Sequence, residues 1–415
     1  MRIAVVGSGI AGLATAWQLA REHQVVLFEA ESRLGGHTHT HEIERDGRRF
    51  RVDSGFIVHN PANYPLLTAM LDELKVEIQP TTMGFSVHNA RSGLQYSAGT
   101  LGGLFCQRRN LLSPRFYRMV ADILRFYREA PALLAGDAEG PGLGDYLQAQ
   151  SYSQMFIDEH LVPMASALWS SPSDRVLQFP ARYLVQFMAN HHMLSAGDRP
   201  QWKVVKGGSS RYIAALESVW RVEARLSSAV TSIARVAGGV EVRTAAYSEH
   251  FDQAVLACHS DQALALLDAP SAREQEILGA IRYQANDTVL HTDASLLPPN
   301  RRAWAAWNAH IPADPSADCT VSYCMNLLQG ISSHEPFVVT LNRSAAIDPA
   351  KVIARMQYAH PEYTHASVAA QKRRAEINGV DGIWYCGAYW GWGFHEDGIR
   401  SGIEVVRALG VRWPQ

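Results

Sequence analysis

The first thirty residues contain a glycine pattern that few folds can accommodate. A short apolar run at residues 2–6 leads into Gly7-Ser8-Gly9-Ile10-Ala11-Gly12, and apolar residues with helical spacing follow. A second apolar run at residues 24–28 then ends in Glu29. This order predicts a strand, a tight turn, a helix and a second strand, which together open a βαβ unit.

The spacing of the three glycines predicts a dinucleotide site at this turn. Gly7 permits the turn, Gly9 lets the backbone approach a pyrophosphate, and Gly12 lets helix and strand pack closely. The anion would lie at the helix N-terminus, where free N–H groups and the positive end of the helix dipole meet. Glu29, seventeen residues after Gly12, can accept hydrogen bonds from ribose hydroxyls and would repel a ribose phosphate. NADP is therefore disfavoured.

The residues after Glu29 favour FAD over NAD. The stretch 29–36 resembles the extended flavin-binding motif, in which an arginine orders a loop and a glycine pair passes tightly over the pyrophosphate. The stretch 52–56 resembles the segment that brings backbone beneath the flavin. The resemblance implies a single FAD, with contacts from Arg33, Gly35, Gly36, His37, Thr38, Gly55 and Phe56.

The last part of the chain carries a second motif. A predicted strand at 383–386 is followed by Gly387-Ala388, an aromatic-rich turn and a helix that opens with Asp397-Gly398-Ile399 and stops at Gly410. This resembles the carboxyl-terminal flavin motif of the FAD-dependent amine oxidase superfamily, which includes protoporphyrinogen oxidases and carotene desaturases. Ala388 departs from the motif, where an acid commonly holds the ribityl chain. The resemblance further implies that the backbone of Val230 meets adenine.

A narrower resemblance extends over nearly the whole chain. It looks like the flavin oxidase-like domain that precedes plant cyclopropane fatty acid synthases, and like the stand-alone bacterial relatives of that domain. This implies a lipid context, and a fatty acid methyltransferase would then be a separate protein. The blocks that carry it are 167–173, 190–194, 199–202, 290–293, 303–308, Gly35–Thr38 and Gly393–Gly398.

The predicted fold class is α/β with two domains. The FAD-binding domain is Rossmann-like, of the glutathione reductase type, and discontinuous, with residues 1–70, 199–268 and 376–415. The substrate-binding domain is mixed α+β, with a helical part at 71–198 and a sheet part at 269–375. In the sheet part the pattern predicts strands at 288–290, 320–325 and 337–341, and a helix after Pro349.

Charge and cysteine usage exclude several classes of protein. The 38 Lys and Arg against 40 Asp and Glu give a net charge of −2, so nucleic acid is not an expected partner. Five cysteines without a CxxC pair favour the cytoplasm, and no apolar run is long enough to cross a bilayer. We expect a soluble protein. The six arginines of 108–128 form either the solvated face of a core helix or a peripheral membrane contact.

Breaking a carbon–hydrogen bond can require a base, and several side chains are candidates. His395 is best placed, beside the presumed flavin helix, although it could equally orient Asp397 or a backbone carbonyl. We expect no metal at His37-Thr38-His39-Thr40-His41, because this stretch directly follows a flavin loop. A covalent link from Cys386 to the flavin is a minor alternative. The catalytic candidates are His395, Glu396, His191, His192 and Tyr323.

Three functions remain open from the sequence. The first is an FAD-dependent oxidase or desaturase that acts on a fatty-acyl or related apolar chain and is reoxidised by oxygen or another electron carrier. The second is an amine oxidase in the strict sense. His395 weakens this hypothesis, because in amine oxidases a tyrosine would stand at its position. The third is a non-catalytic flavin-binding partner that presents lipid to a methyltransferase.

Overall fold

The computed structural model describes residues 1–135, 140–169, 171–195, 197, 200–314 and 317–413. Ser170 and Arg199, which belong to two blocks of the narrower resemblance, and the predicted domain limit between 198 and 199 lie outside the described residues.

The strands are short and occur along the whole chain. In chain order they are β1 Arg2–Val6, β2 Gln24–Phe28, β3 Thr40–Arg45, β4 Arg48–Asp53, β5 Val58–His59, β6 Ile78–Pro80, β7 Phe85–Asn89, β8 Gln95–Ser97, β9 Lys203–Val205, β10 Val222–Arg225, β11 Val230–Val236, β12 Gly239–Thr244, β13 Ser248–Phe251, β14 Gln253–Leu256, β15 Tyr283–His291, β16 Trp307–Ile311, β17 Thr320–Cys324, β18 Val338–Leu341, β19 Val352–Pro361 and β20 Ile383–Tyr385.

The helices are concentrated between residues 101 and 190 and at the end of the chain. They are α1 Ile10–Leu19, α2 Pro65–Glu73, α3 Leu101–Leu104, α4 Pro114–Glu129, α5 Leu143–Ala149, α6 Gln154–Phe156, α7 Val162–Trp169, α8 Ser173–Leu177, α9 Ala181–Asn190, α10 Ser210–Val219, α11 Ser260–Leu266, α12 Ala272–Gly279, α13 Met325–Gln329, α14 His365–Lys372 and α15 His395–Ala408.

A parallel sheet brings distant parts of the chain together. Its order is β10-β2-β1-β14-β20, and every pairing in it is parallel. β1 is apolar on both faces. Ile3 and Val5 belong to one core cluster, and Ala4 and Val6 belong to another. Burial on both faces is what a parallel sheet requires, and it explains the uninterrupted apolar run that opens the sequence. The predicted α/β class with a Rossmann-like domain is confirmed.

Helix α15 packs directly against α1. A Cβ at Gly398 would lie 2.8 Å from Cγ2 of Ile10, and a Cβ at Gly402 would collide with the hydroxyl of Thr15. Because position 398 faces position 10 and position 402 faces position 15, the two helices run in the same direction. Their N-termini therefore lie side by side.

The second large sheet has the order β19-β15-β18-β17-β16-β7-β8 and is antiparallel except between β16 and β7. The predicted strands at 288–290, 320–325 and 337–341 correspond to β15, β17 and β18. The predicted helix after Pro349 is wrong. Residues 349–351 form a single 3-10 turn, and 352–361 form β19, which pairs with β15 from Tyr283↔Pro361 to His291↔Val352.

The helical part packs onto one end of this sheet. Ser113 caps α4 by accepting a hydrogen bond from the backbone N–H of Phe116. Phe116, Met119 and Phe126 are buried from α4 into an aromatic-rich core. Among the described residues, no helix is both long enough and apolar enough to cross a membrane. The domain limits stay a prediction.

Candidate active site

The turn between β1 and α1 forms a cradle with free hydrogen-bond donors. The N-terminus of α1 has no side-chain cap, although Ile10 and Ala11 are buried. A Cβ at Gly9 would meet nothing within 4 Å, whereas a Cβ at Gly12 would collide with the carbonyl oxygen of Gly7. Buried N–H groups need an acceptor. Open space in front of such a terminus fits a pyrophosphate, so the residues present fit FAD.

Glu29 lies at the edge of this cradle and is 9% exposed. One of its carboxylate oxygens accepts a hydrogen bond from the backbone N–H of Ser8 at 2.9 Å, and the other accepts one from the N–H of Glu31 at 2.9 Å. The segment before Val230 is tied to the same place, because the N–H of Ser228 donates to the carbonyl of Glu29 at 2.8 Å. The structure therefore brings Glu29 and Val230, predicted to contact ribose and adenine, into one neighbourhood.

Arg33 orders the glycine loop by donating hydrogen bonds along it. Its guanidinium reaches the carbonyl oxygens of Leu34 at 3.3 Å, Gly36 at 2.8 Å and Thr38 at 3.1 Å. A Cβ at Gly36 would lie 3.2 Å from Cα of Gly9, so this loop crosses the α1 cradle closely. The predicted loop residues 33–38 and glycine turn 7–12 thus form one continuous surface.

The N-terminus of α15 forms a second part of the presumed flavin site. Asp397 accepts hydrogen bonds from the backbone N–H groups of Trp392 and Phe394, both at 3.1 Å, and thereby holds the preceding turn. Burial raises the pKa of this carboxyl. The N–H of Gly387 donates to the hydroxyl of Ser401 at 2.9 Å, which fixes the strand end and Ala388 against the helix. Ile399 is fully buried in the core that also holds Ile10.

Beside these elements lies a cavity of about 620 Å³. Four of its lining residues, Thr82, Ala98, Gly99 and Gln201, are solvent-exposed and mark its mouth. Aromatic rings line much of its wall. They are Phe56, Tyr64, Phe85, Tyr127, Trp169, Phe187, Trp202, Trp307, Tyr323, Tyr358, Tyr363, Trp392 and Phe394.

The described lining of this cavity carries no formal charge. It contains no Asp, Glu, Lys or Arg, and burial keeps four of its five histidines neutral: His37, His191, His360 and His395. Burial lowers the pKa of His191 and His360 to about 4, and that of His395 to about 3, with a smaller contribution from the neighbouring His59 to the last. Burial also lowers the pKa of His37 well below its usual value. The cavity is therefore an uncharged compartment at neutral pH.

His395 begins α15 and takes part in a network at the cavity wall. Its Nε2 lies 3.0 Å from Oγ1 of Thr38 and 3.4 Å from the hydroxyl of Tyr212. Its ring stacks on Phe56, with centroids 3.6 Å apart. The sequence suggested Asp397 or a backbone carbonyl as partners in an orienting role. The structure gives His395 two hydroxyls instead, and it brings together His395, Thr38 and Phe56 from three predicted segments.

The other catalytic candidates divide into two groups. His191 and Tyr323 line the cavity, and Nδ1 of His191 donates to the carbonyl of Phe187 at 2.9 Å. His192 is exposed and is not among the cavity residues, because a positive φ of 53° turns the chain there. Glu396 also lies off the cavity, and its carboxylate accepts hydrogen bonds from Leu66 and Leu67 at the start of α2. We therefore give Glu396 a capping role rather than a catalytic one.

Several residues of the wall were missed by sequence reasoning. Tyr358 and His360 lie on β19, which had been predicted as helix, so their place on the sheet could not be foreseen. Trp392 and Phe394 had a signal in the aromatic-rich turn before α15. Asp53 is not a lining residue. It is fully buried and accepts hydrogen bonds from Ser209, while burial raises its pKa to about 6.

Cys386 and the histidine-rich stretch 37–41 lie in surroundings that the structure describes. The thiol of Cys386 is buried 3.7 Å from the hydroxyl of Thr15, and burial raises its pKa to about 11. Within the part of the chain that the structure describes, no group of three His, Cys, Asp or Glu residues is arranged to hold a metal ion.

The glycine cradle, the ordered loop and the adjoining cavity together fit an FAD site. The chain belongs to the flavin containing amine oxidoreductase family, whose profile matches residues 10–291. The predicted superfamily and cofactor are confirmed.

Individual relatives are distant. An L-amino-acid oxidase from Siganus canaliculatus is 23% identical over 318 residues, which are 71% of this chain and 57% of that protein. The chain spans less than two thirds of the length of the curated L-amino-acid oxidases that it matches. Among solved structures, a CLA-producing fatty acid isomerase from P. acnes and a wild-type putrescine oxidase bound to putrescine each give a TM-score of 0.70 at 15% identity, with 99% of both chains covered. These structures show the fold alone.

Proposed function

We propose that this FAD-dependent oxidoreductase acts as an oxidase or desaturase on a fatty-acyl or related lipid chain. The observation that supports this substrate class is the uncharged, aromatic-lined cavity beside the FAD cradle. The distant likeness to a fatty acid isomerase agrees with the proposal, although it is a likeness of fold.

Desolvation explains why such a cavity favours an apolar ligand. Burying an unpaired charge costs several kcal/mol or more, and the described wall offers no side chain of opposite charge. Burying an acyl chain instead contributes about 0.8 kcal/mol per methylene, before the entropy cost of ordering the chain. An acyl chain is therefore favoured over an amino acid or a polyamine.

The chain's own residues supply position and a dry environment. Bound FAD would supply the acceptor for a hydride, or its equivalent, from a carbon of the substrate. The α1 cradle, Glu29 and the Arg33 loop would hold the cofactor, and the α15 N-terminus would stabilise negative charge on it. His191 is the best candidate to accept a proton, because it lines the cavity and its Nδ1 is already a donor, which leaves Nε2 unprotonated.

Anaerobic reduction of the bound flavin tests this proposal. Phospholipids with unsaturated, methylated or cyclopropane chains should bleach the flavin absorption, whereas polyamines, aromatic amines and L-amino acids should not. Bleaching by an amine alone would establish the amine oxidase hypothesis instead. Bleaching by no donor, together with co-purification of a methyltransferase, would support the non-catalytic role.

A matched pair of variants sharpens the test. Met83 lines the cavity, whereas Leu327 is 41% exposed on the surface. Met83→Glu should slow lipid-dependent bleaching by about tenfold or more, because it places a carboxylate in the apolar wall. Leu327→Glu should leave the rate unchanged. Equal rates in both variants would contradict the assignment of this cavity.

A further inference from the structure

The most exposed apolar side chains of the described residues gather on one surface. Leu112 is 88% exposed and Leu101 is 77% exposed, the highest values among large apolar residues. Leu111, Tyr117 and Leu124 are each about half exposed in the same stretch. We name this region, residues 101–124, the leucine–arginine surface. Exposed apolar groups of this kind mark an interaction site when they are contiguous.

Contacts within the surface show that it is contiguous. The hydroxyl of Tyr117 donates to the carbonyl of Leu111 at 3.2 Å, which joins α4 to the 3-10 turn before it. The ring of Phe105, at the end of α3, contacts the rings of Phe116 and Tyr117 at centroid distances of 5.8 and 6.1 Å. The exposed leucines therefore belong to one packed unit rather than to separate loops.

The charge in this part of the sequence is mainly positive. Between Glu77 and Asp122 the sequence has no acidic residue, and it has five arginines: Arg91, Arg108, Arg109, Arg115 and Arg118. Arg118 is paired with Asp122, but Arg108, Arg109 and Arg115 have no acidic partner among the described residues.

A separate segment adds two more cations. The side-chain amide of Asn300 donates to the carbonyl of Cys106 at 3.0 Å and so places the exposed Arg301 and Arg302 beside the surface. The positive charge therefore comes from two distant parts of the chain.

The surface also adjoins the mouth of the cavity. Ala98 and Gly99 are both exposed and part of the cavity lining, and Thr100 then caps α3, which begins with Leu101. The exposed leucines therefore stand beside the opening through which a ligand would enter.

We propose that the leucine–arginine surface docks this protein on an anionic lipid bilayer, with the cavity mouth facing the membrane. The leucines enter the boundary between head groups and acyl chains, and the arginines pair with lipid phosphates. Charge complementarity decides the occupant, since an unbroken excess of arginine around apolar side chains suits an anionic bilayer. The proposal does not depend on the reaction proposed above.

Vesicle flotation of the flavin-loaded protein tests this proposal. The protein should float with vesicles of phosphatidylcholine and phosphatidylglycerol, weakly with phosphatidylcholine alone, and much less in high salt. Leu101→Ser with Leu112→Ser should lower the partition coefficient by about tenfold or more. Arg108→Gln with Arg115→Gln should lower it by about tenfold on anionic vesicles only.

Controls use residues of the same type elsewhere on the surface. Val219 is 60% exposed and the Arg49 side chain is 87% exposed, and both lie in other parts of the fold. Val219→Ser and Arg49→Gln should float like the wild type. Flavin content, read from the yellow colour, confirms that each variant is folded.

Hydrogen exchange of the wild type provides a measurement that needs no variant. Amides of 101–118 should gain protection when anionic vesicles are added. Absence of flotation, equal flotation of all variants, or an apolar double variant that instead dissociates an oligomer would each overturn the proposal. Turnover is not measured, so a failure here is separate from a failure of the proposed reaction.

Discussion

At the scale of single residues, hydrogen-bond partners distinguish the histidines of the cavity wall. His395 lies between Thr38 and Phe56, and burial lowers its pKa to about 3. Burial makes both His395 and His191 weak bases at neutral pH, but Nε2 of His395 is also engaged with the hydroxyls of Thr38 and Tyr212. Its neutral ring is instead a hydrogen-bonding group that fixes the hydroxyls of Thr38 and Tyr212. We therefore regard His395 as a positioning residue.

A substitution at Gly9 separates folding from cofactor binding. Gly9 has a φ of −62°, which any residue adopts, and a Cβ there meets open space. Gly9→Leu should therefore fold with about the stability of the flavin-free wild type but lose the flavin, because the side chain fills the space in front of α1. Flavin absorbance per protein and the urea unfolding midpoint measure the two effects.

Gly197→Leu is the matched control for this substitution, since a Cβ at Gly197 also meets nothing within 4 Å. It should retain the flavin. Stoichiometric flavin in Gly9→Leu would show that the pyrophosphate lies elsewhere.

At the scale of elements, helix ends are held by side chains from distant segments. Glu396, at the start of α15, accepts hydrogen bonds from Leu66 and Leu67 in the first turn of α2, both at 3.1 Å. α2 has no cap of its own from Tyr64. The carboxylate therefore satisfies two N–H groups and places a negative charge at the positive end of the helix dipole.

Removing this cap should destabilise the fold. Glu396→Ala is expected to lower the free energy of unfolding by about 1–2 kcal/mol, because two N–H groups lose their acceptor. Urea unfolding measures the change. Glu217, on the exposed face of α10, is the control, and Glu217→Ala should have little effect. If Glu396→Ala left stability intact but abolished substrate-dependent bleaching, the capping role would be wrong.

The elements also show which parts of the fold can be predicted from the sequence alone. The glycine turn, the Arg33 loop and the strands at 253–256 and 383–385 follow from local patterns, because each pattern satisfies its own backbone requirements. β19 does not follow from its local pattern, because the residues after Pro349 are equally compatible with a helix. Its pairing with β15 across some seventy residues decides its conformation. For the same reason, Tyr358 and His360 were not predicted as residues of the site.

At the scale of the whole molecule, the neutral histidines link stability to pH. His37, His191, His360 and His395 all have lowered pKa values in the folded protein. Between the unfolded pKa of about 6.5 and the folded values, the unfolded chain binds more protons, so stability falls as the pH falls. Asp53 acts in the opposite direction. Because its pKa is raised, its contribution to the free energy of unfolding falls as the pH rises through about 6. Among the described residues, eleven histidines with lowered pKa values oppose four carboxyls with raised ones.

Acid should therefore destabilise the protein well above the range in which carboxylates titrate. From about pH 7.5 to about pH 5, each buried histidine should reduce the free energy of unfolding by about 1–2 kcal/mol. His291, with its pKa lowered to about 4 by burial, offers a test away from the cavity. His291→Asn should flatten the pH dependence measured by urea unfolding, whereas His334→Asn, at an exposed site, should not. Stability that is constant or rises toward pH 5 would contradict this expectation.

The side-by-side packing of α1 and α15 has a consequence for how the protein is made. Gly12 leaves the ribosome several hundred residues before Gly398, and until then the side of α1 that faces α15 has no partner. The nascent chain must keep that side covered by other means, such as a chaperone, because exposed apolar surface promotes aggregation. Loading of the flavin is therefore a late event in biosynthesis, after translation of the closing helix.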